Sequence, residues 1–196
     1  MQKIILASQS PRRKQLLQWA EQPFDVIISE TDESYNTGDS FSNIAIHIAR
    51  NKARAVLEKT GTSLPILAAD TIVICNNLII GKPKDNNEAI DFLKQLSGNT
   101  HSVITGVVIL QGNNEKYFAD ETRVTFHELS NDQINFYVEK YKPYDKAGAY
   151  AIQEWIGVVG IKKIEGDFYN VMGLPVSRAI KLLHEFFFFF AFRNFP

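Results

Sequence analysis

The segment Ser8-Gln9-Ser10-Pro11-Arg12-Arg13 sets two hydroxyls and two guanidiniums where an apolar run, Lys3 to Ala7, gives way to a helix. Ser10 stands as its cap and Pro11 at its first position. Backbone N–H groups, hydroxyls and guanidiniums at such a turn are the means by which a chain holds a polyphosphate. Neither GxxxxGK[ST] nor GxGxxG occurs, so side-chain charge rather than a glycine nest would do the holding. The plainer reading of Arg12 and Arg13 is two solvated residues on an exposed helix start. Asp70 lies between the apolar runs Ile66 to Ala69 and Thr71 to Cys75, so its carboxylate sits at the edge of low-dielectric surroundings and needs a partner. A metal ion or a water to deprotonate would serve. Glu30, Asp32 and Glu33 in the preceding acidic loop add oxygens of the kind that Mg²⁺ or Mn²⁺ takes. A turn-capping Asp is the structural alternative.

Two lysines could point into a common cleft and neutralise phosphate oxygens or stand as ordinary surface residues: Lys52, one helical face along from the Ile44 and Ile48 stripe, and Lys82 in Gly81-Lys82-Pro83. Tyr144 to Gln153 mixes small and apolar residues in a way that suits either a tight packing joint or a close approach to a planar ligand. In the second case Gln153 can hydrogen-bond a base edge. His47, His101, His127 and His184 show no HExxH or paired-ligand spacing and read as structural, and no GxSxG elbow supports a serine hydrolase.

The elements that must position these residues alternate in type. Strands are expected at Lys3 to Ala7, Phe24 to Ile28, Ile66 to Ala69, Thr71 to Cys75, Leu78 to Ile80, His101 to Leu110, Lys116 to Leu129 and Val158 to Ile164. Helices are expected from Pro11, over Phe41 to Lys59 with Ser40 as cap and Gly61 past the end, over Asn87 to Leu96, from Ser130 through Tyr137, and over Pro175 to Leu183. Asn76-Asn77 and Gly112-Asn113-Asn114 read as hairpin turns. Helical crossovers combined with hairpins predict an α/β fold with a mixed, twisted sheet flanked by helices.

A chain of 196 residues buries about 70% of its unfolded surface, enough for a proper core. With 21 Lys plus Arg against 22 Asp plus Glu, no global basic excess draws it to nucleic acid or to an anionic membrane. Cys75, the lone cysteine, excludes an intramolecular disulfide and fits a reducing compartment. The N-terminal apolar stretch is too short for a signal-peptide core, and no apolar run reaches membrane-spanning length, so a cytoplasmic protein without a membrane partner is expected. The final eleven residues hold seven of the 14 Phe. They are set apart, 186–196, as a tail appended to a domain spanning 1–185.

In order and spacing, Ala7-Ser-Gln-Ser-Pro-Arg-Arg13, Asn51-Lys-Ala53, Ala69-Asp-Thr71, Gly81-Lys-Pro83, Leu96-Ser-Gly98 with His101 to Thr105, Asp145 to Gln153, and Asp167 to Pro175 form a specific set. Through that set the sequence resembles the Maf family of nucleoside triphosphate pyrophosphatases, over essentially Ile4 to Leu183. The resemblance implies two lobes around a central cleft in a fold related to inosine triphosphatases, a homodimer, and divalent-cation-dependent hydrolysis of a nucleoside triphosphate to the monophosphate and pyrophosphate. Arg12, Thr71 and Gln153 match the selectivity positions of the branch that cleaves dTTP and UTP. The resemblance makes Asp70 the proton acceptor, puts Glu33 with Asp70 on the metal side, and gives Ser8, Arg12, Arg13, Lys52 and Lys82 the phosphates.

Two features depart from the family pattern. Glu154-Trp155 follows Gln153 where Gly is common, which would crowd the base or wall it with an aromatic ring. The Phe-rich tail is the second. A rival expectation from the same resemblance is a nucleotide-binding regulator of cell division or septum formation in which catalysis is incidental. Asp70 and an acidic loop beside phosphate-binding cations argue for a hydrolase, since a sensor needs neither.

Overall fold

A computed structural model describes residues 2–36 and 38–193. The strands are β1 (Ile4–Leu6), β2 (Phe24–Val26), β3 (Ile66–Cys75), β4 (Leu78–Ile80), β5 (Thr100–Gln111), β6 (Asn114–Phe126) and β7 (Ile161–Glu165). The helices are α1 (Pro11–Trp19), α2 (Phe41–Thr60), α3 (Asn86–Leu96), α4 (Asn131–Tyr141), α5 (Trp155–Gly160), α6 (Phe168–Met172) and α7 (Val176–Arg193), with a 3₁₀ turn at Ala147–Ala149. Hydrogen-bonded neighbours follow the order β2-β1-β3-β5-β6-β7, with β4 on β3. β1 is parallel to β2 and β3, whereas β4 and β7 pair antiparallel with β3 and β6, so the sheet is mixed.

The chain forms two compact units. The first comprises Met1–Asp70, Thr105–Asp120 and Gly173–Pro196. Its core gathers Ile5 of β1 and Ala7 just past its end, Ala49, Ala53 and Val56 of α2, Ile66 and Ala68 of β3, and Val108 and Leu110 of β5. α2 starts at Ser40, whose hydroxyl accepts from the Asn43 N–H, and ends at Gly61 in the left-handed conformation (φ 58°). It lies hard on β5: a Cβ at Gly106 would stand 2.4 Å from the Ala45 backbone. That contact fixes the height of α2, and with it Lys52.

The second unit comprises Thr71–Ile104 and Glu121–Met172. Asn76 and Asn77, at φ 51° and 63°, make the tight turn between β3 and β4. Gly148 (φ 70°) lets the 3₁₀ turn press on Val73, 3.1 Å from where a Cβ would stand, and donates its N–H to the Gly81 carbonyl. This is the packing joint that the small residues of that segment allow.

Several boundaries differ from expectation. Ile66 to Ala69 and Thr71 to Cys75 are one strand, with Asp70 inside it. β2 stops at Val26, and β6 stops at Phe126 because the Leu129 N–H turns aside to the Ser97 hydroxyl. Val158 to Gly160 are helical, not extended: the Glu154 carbonyl accepts from the Gly157 and Val158 N–H groups and starts a turn that overrides the β-branched pair. α4 runs on to Tyr141. α7 continues to Arg193, because Phe186 extends the buried stripe of Ala179 and Leu183 at helical spacing. Residues 194–196 of the expected tail lie outside the described residues.

Candidate active site

The turn after β1 is built as its sequence predicts. The Ser10 hydroxyl accepts from the Arg13 N–H at the start of α1, and Pro11 takes the first helical position. The Ser8 hydroxyl accepts from the Ser10 N–H at 3.2 Å and from Arg13 Nη1 at 3.1 Å. Arg13 Nε donates to the Gly173 carbonyl at 2.7 Å. Arg13 is therefore no solvated helix-start residue: it is 8% exposed and anchored at both ends of its guanidinium. Burial pushes its pKa down from the ordinary value and the neighbouring Arg12 adds to that, while Asp70 and Glu33 act in the opposite direction. A guanidinium keeps its charge under such a shift. Arg12 beside it is half-buried.

Lys52 is the centre of the arrangement. From the middle of α2 its ammonium donates to Asp70 Oδ1 at 2.6 Å and meets Glu33 Oε1 at 2.7 Å. The partners differ in depth: the Asp70 side chain is 15% exposed and that of Glu33 is 52% exposed. Asp70, the partly buried carboxylate that needed a partner, thus has one in a lysine eighteen residues earlier. Of the other acidic-loop residues, Asp32 accepts from the Ser34 N–H and hydroxyl, which hold its carboxyl below the usual carboxylate range, and Glu30 is exposed.

The first unit therefore brings together Ser8, Arg12, Arg13, Glu33, Lys52 and Asp70. Thr71, Lys82 and Gln153 belong to the second. Thr71 follows Asp70 in β3 and is half-buried, Lys82 is exposed in the turn after β4, and Gln153 is exposed just before α5. Among the histidines, His101 is a core residue, bonded through Nε2 to the Tyr150 hydroxyl at 2.7 Å and stacked on Phe126.

Among the described residues no group of three or more His, Cys, Asp or Glu side chains could by itself enclose a metal ion. Glu33 and Asp70, drawn to one ammonium, are nevertheless the donor set that Mg²⁺ takes. That ion is commonly bound by one or two carboxylates with waters and substrate phosphates completing its shell. The two carboxylates fit such an ion.

The family model described as Maf-like protein matches residues 3–186. The chain belongs to the Maf-like family. A dTTP/UTP pyrophosphatase of Cytophaga hutchinsonii is 52% identical over 184 residues, covering 94% of this chain and 84% of its own length. Proteins of the same description from Parabacteroides distasonis and Bacillus cereus are 45% and 44% identical over 185 and 186 residues. These alignments cover 94% and 95% of this chain and 96% of each relative. Among solved structures, the Ham1 protein of Staphylococcus aureus aligns over 64% of this chain and 72% of its own at 14% identity, with a TM-score of 0.43, a loose likeness.

Sequence reasoning missed two partners in this Maf-like chain, Gly173 and Tyr137, and marked a third, Glu154, only as a departure beside Gln153. The Gly173 carbonyl binds Arg13 across 160 residues, Tyr137 holds the segment around Gln153, and Glu154 joins it. Gly173 had a signal in the Asp167 to Pro175 motif. Tyr137 carried none, since a tyrosine on the buried face of a helix reads as core.

Proposed function

We propose that this Maf-like protein hydrolyses dTTP and UTP to the monophosphate and pyrophosphate, with Mg²⁺ or Mn²⁺ as cofactor. The observation that carries the reading is the Lys52 ammonium between Glu33 and Asp70, beside the buried Arg13. It combines a carboxylate able to take a proton from water with cations able to bind phosphate. The relatives described as dTTP/UTP pyrophosphatases support the substrate.

In this reading water attacks the α-phosphorus in line, the bond to the oxygen bridging the α- and β-phosphorus breaks, and pyrophosphate leaves with the bonding electrons. Asp70 takes the proton of the attacking water. Lys52, Arg12 and Arg13 offset charge that develops on the phosphate oxygens, the larger part of catalysis in phosphoryl transfer. The Ser8 hydroxyl, fixed by Arg13, adds a phosphate contact, and Lys82 keeps its expected phosphate role. A divalent ion held by Glu33 and Asp70 would supply further charge neutralisation on the phosphates.

Gln153 offers one donor and one acceptor, which match the N3–H and carbonyl edge common to uracil and thymine. Arg12 and Thr71 complete the selectivity set. The reading carries with it a cytoplasmic homodimer that engages neither nucleic acid nor membrane. Among the described residues no helix is long and apolar enough to cross a membrane.

The test is pyrophosphate release from dTTP, UTP, CTP, dATP, GTP and 7-methyl-GTP with Mg²⁺ or Mn²⁺. Rapid release from dTTP and UTP is the expected result. A folded sample that binds dTTP and turns over none of the six would favour the regulator instead.

A further inference from the structure

Gln153 stands at the apex of a turn whose neighbours are tied down on every side. The flanking Ala151 and Ile152 are buried while Gln153 is exposed. The hydroxyl of Tyr137, itself fully buried in α4, accepts from the Ala151 N–H at 3.2 Å and donates to the Glu154 carboxylate. One phenolic oxygen thus holds the residue two before Gln153 and the residue just after it. The Glu154 N–H closes the turn on the Ala151 carbonyl at 3.1 Å. Behind it, Gly157 sits so close that a Cβ there would come within 1.7 Å of the Ile152 carbonyl oxygen. The far side of the Glu154 carboxylate faces the Lys146 ammonium at 3.6 Å, and that lysine side chain is only 9% exposed.

Glu154 is the departure that the sequence marked beside Gln153, and the geometry removes both effects expected of it. Its carboxylate is turned to Tyr137 and Lys146, and the Trp155 ring packs edge-to-face on Phe136 at 4.8 Å. We propose that Tyr137 and Glu154 form a clasp that presets Gln153 for base choice, which makes both of them positioning residues for specificity. The inference rests on the reading of Gln153 as the residue that reads the base. A glutamine on a mobile turn approaches the base from many directions and pays in entropy for choosing one, whereas a fixed turn sets the position and direction from which the amide reaches it before the nucleotide arrives. The discrimination arises because thymine and uracil present N3–H where cytosine presents an acceptor. One amide rotamer matches the first pattern and its flipped form the second, so a turn that holds Gln153 where only one rotamer faces the base leaves a polar atom unmatched against cytosine.

The experiment measures kcat and KM for pyrophosphate release from dTTP and dCTP in the wild type and in Tyr137→Phe, Glu154→Ala, Glu154→Gln and Gln153→Ala, with a thermal midpoint for each. The ratio of kcat/KM for dTTP over dCTP is expected to fall about tenfold in Tyr137→Phe and Glu154→Ala, carried mainly by a higher KM for dTTP. Glu154→Gln keeps an oxygen for the Tyr137 hydroxyl but loses the charge on Lys146, so an intermediate ratio is expected. If Tyr137→Phe does not fold, the two Glu154 variants carry the test. Equal losses on both nucleotides would make the clasp merely structural and overturn the inference. So would an unchanged ratio in variants with the wild-type midpoint. A ratio that Gln153→Ala moves and the clasp variants do not overturns the clasp alone. A ratio unmoved by Gln153→Ala overturns the base reading and the clasp with it.

Discussion

In the first unit Arg13, Glu33, Lys52 and Asp70 come from a helix, a loop, a second helix and a strand, and long charged side chains close the distances among them. In the second unit Gln153 is held by its own backbone, one phenolic hydroxyl and a glycine too close to the chain for any other residue. The first arrangement depends on charge, so it fails when a charge is removed and weakens as salt screens its exposed members. The second depends on close backbone packing and on a single buried hydroxyl that bridges a backbone N–H and the Glu154 carboxylate, so it fails when a shape changes or when that bridge is lost. The proposed phosphate chemistry, which stabilises developing charge, and the proposed reading of a base edge ask for these two different materials.

The substitution expected to break the first arrangement most severely is Asp70→Asn, which keeps an oxygen for the Lys52 ammonium but removes the base. Turnover of dTTP should fall on the order of a thousandfold, while titration calorimetry still detects dTTP binding. Retained turnover would place the reactive group elsewhere. In the second unit the largest effect is one of pH. Burial pushes the His101 pKa down from 6.5 to about 4, so below pH 6.5 the unfolded chain binds a proton that the folded chain refuses. Its contribution to stability is complete above pH 6.5 and is lost as the pH falls toward about 4, a swing of roughly 3 kcal/mol. Urea midpoints at pH 7, 5.5 and 4.5 should fall less steeply for His101→Gln than for the wild type. Parallel profiles would show that the ring titrates alike in both states.

Lys52→Met sharpens the comparison next. It leaves Glu33 and Asp70 without the ammonium both now share, and kcat/KM for dTTP should fall about a hundredfold, with partial recovery in Lys52→Arg. A loss under about threefold would take the phosphate role from Lys52. The same substitution at a surface ion pair would be close to silent, because exposed pairs contribute about 0–1 kcal/mol.

These arrangements were unequally legible in the sequence. Ser10 and Ser40 as caps, Gly61 past the end of α2 and the Asn76-Asn77 turn could be read because each acts on residues within four positions of itself. The chemistry of Ser8, Arg13, Lys52 and Asp70 was legible as residue types. Their pairing was not, since Lys52 reaches Asp70 only because α2 is pressed onto β5 at Gly106. Arg13 shows the limit most clearly. Its place in the first turn of α1 fitted a phosphate ligand or a solvated residue alike, and the Gly173 carbonyl that helps to make its burial tolerable is distant in sequence. The Tyr137 clasp left no trace in the pattern, because periodicity reports that a side chain is buried and not what its polar tip will meet.

The smallest expected effect tests whether the second arrangement is held by contacts other than charge. Phe136 of α4 and Trp155 of α5 meet edge-to-face at 4.8 Å, each next in sequence to a residue of the clasp. Such a pair contributes about 0.5–1.5 kcal/mol beyond the area it buries. A double-mutant cycle of Phe136→Ala and Trp155→Ala, read by urea unfolding, should therefore return a coupling near 1 kcal/mol. In a chain of this size each single change should lower the thermal midpoint by only a few degrees. Because the Phe136–Trp155 contact itself joins two neutral rings, the coupling should be the same at 50 mM and at roughly 500 mM salt, where the Debye length has shrunk to a few ångströms. A coupling that vanishes at high salt would point to Lys140, whose ammonium lies 5.2 Å from the centre of the Phe136 ring, and would make this region depend on charge as the first one does.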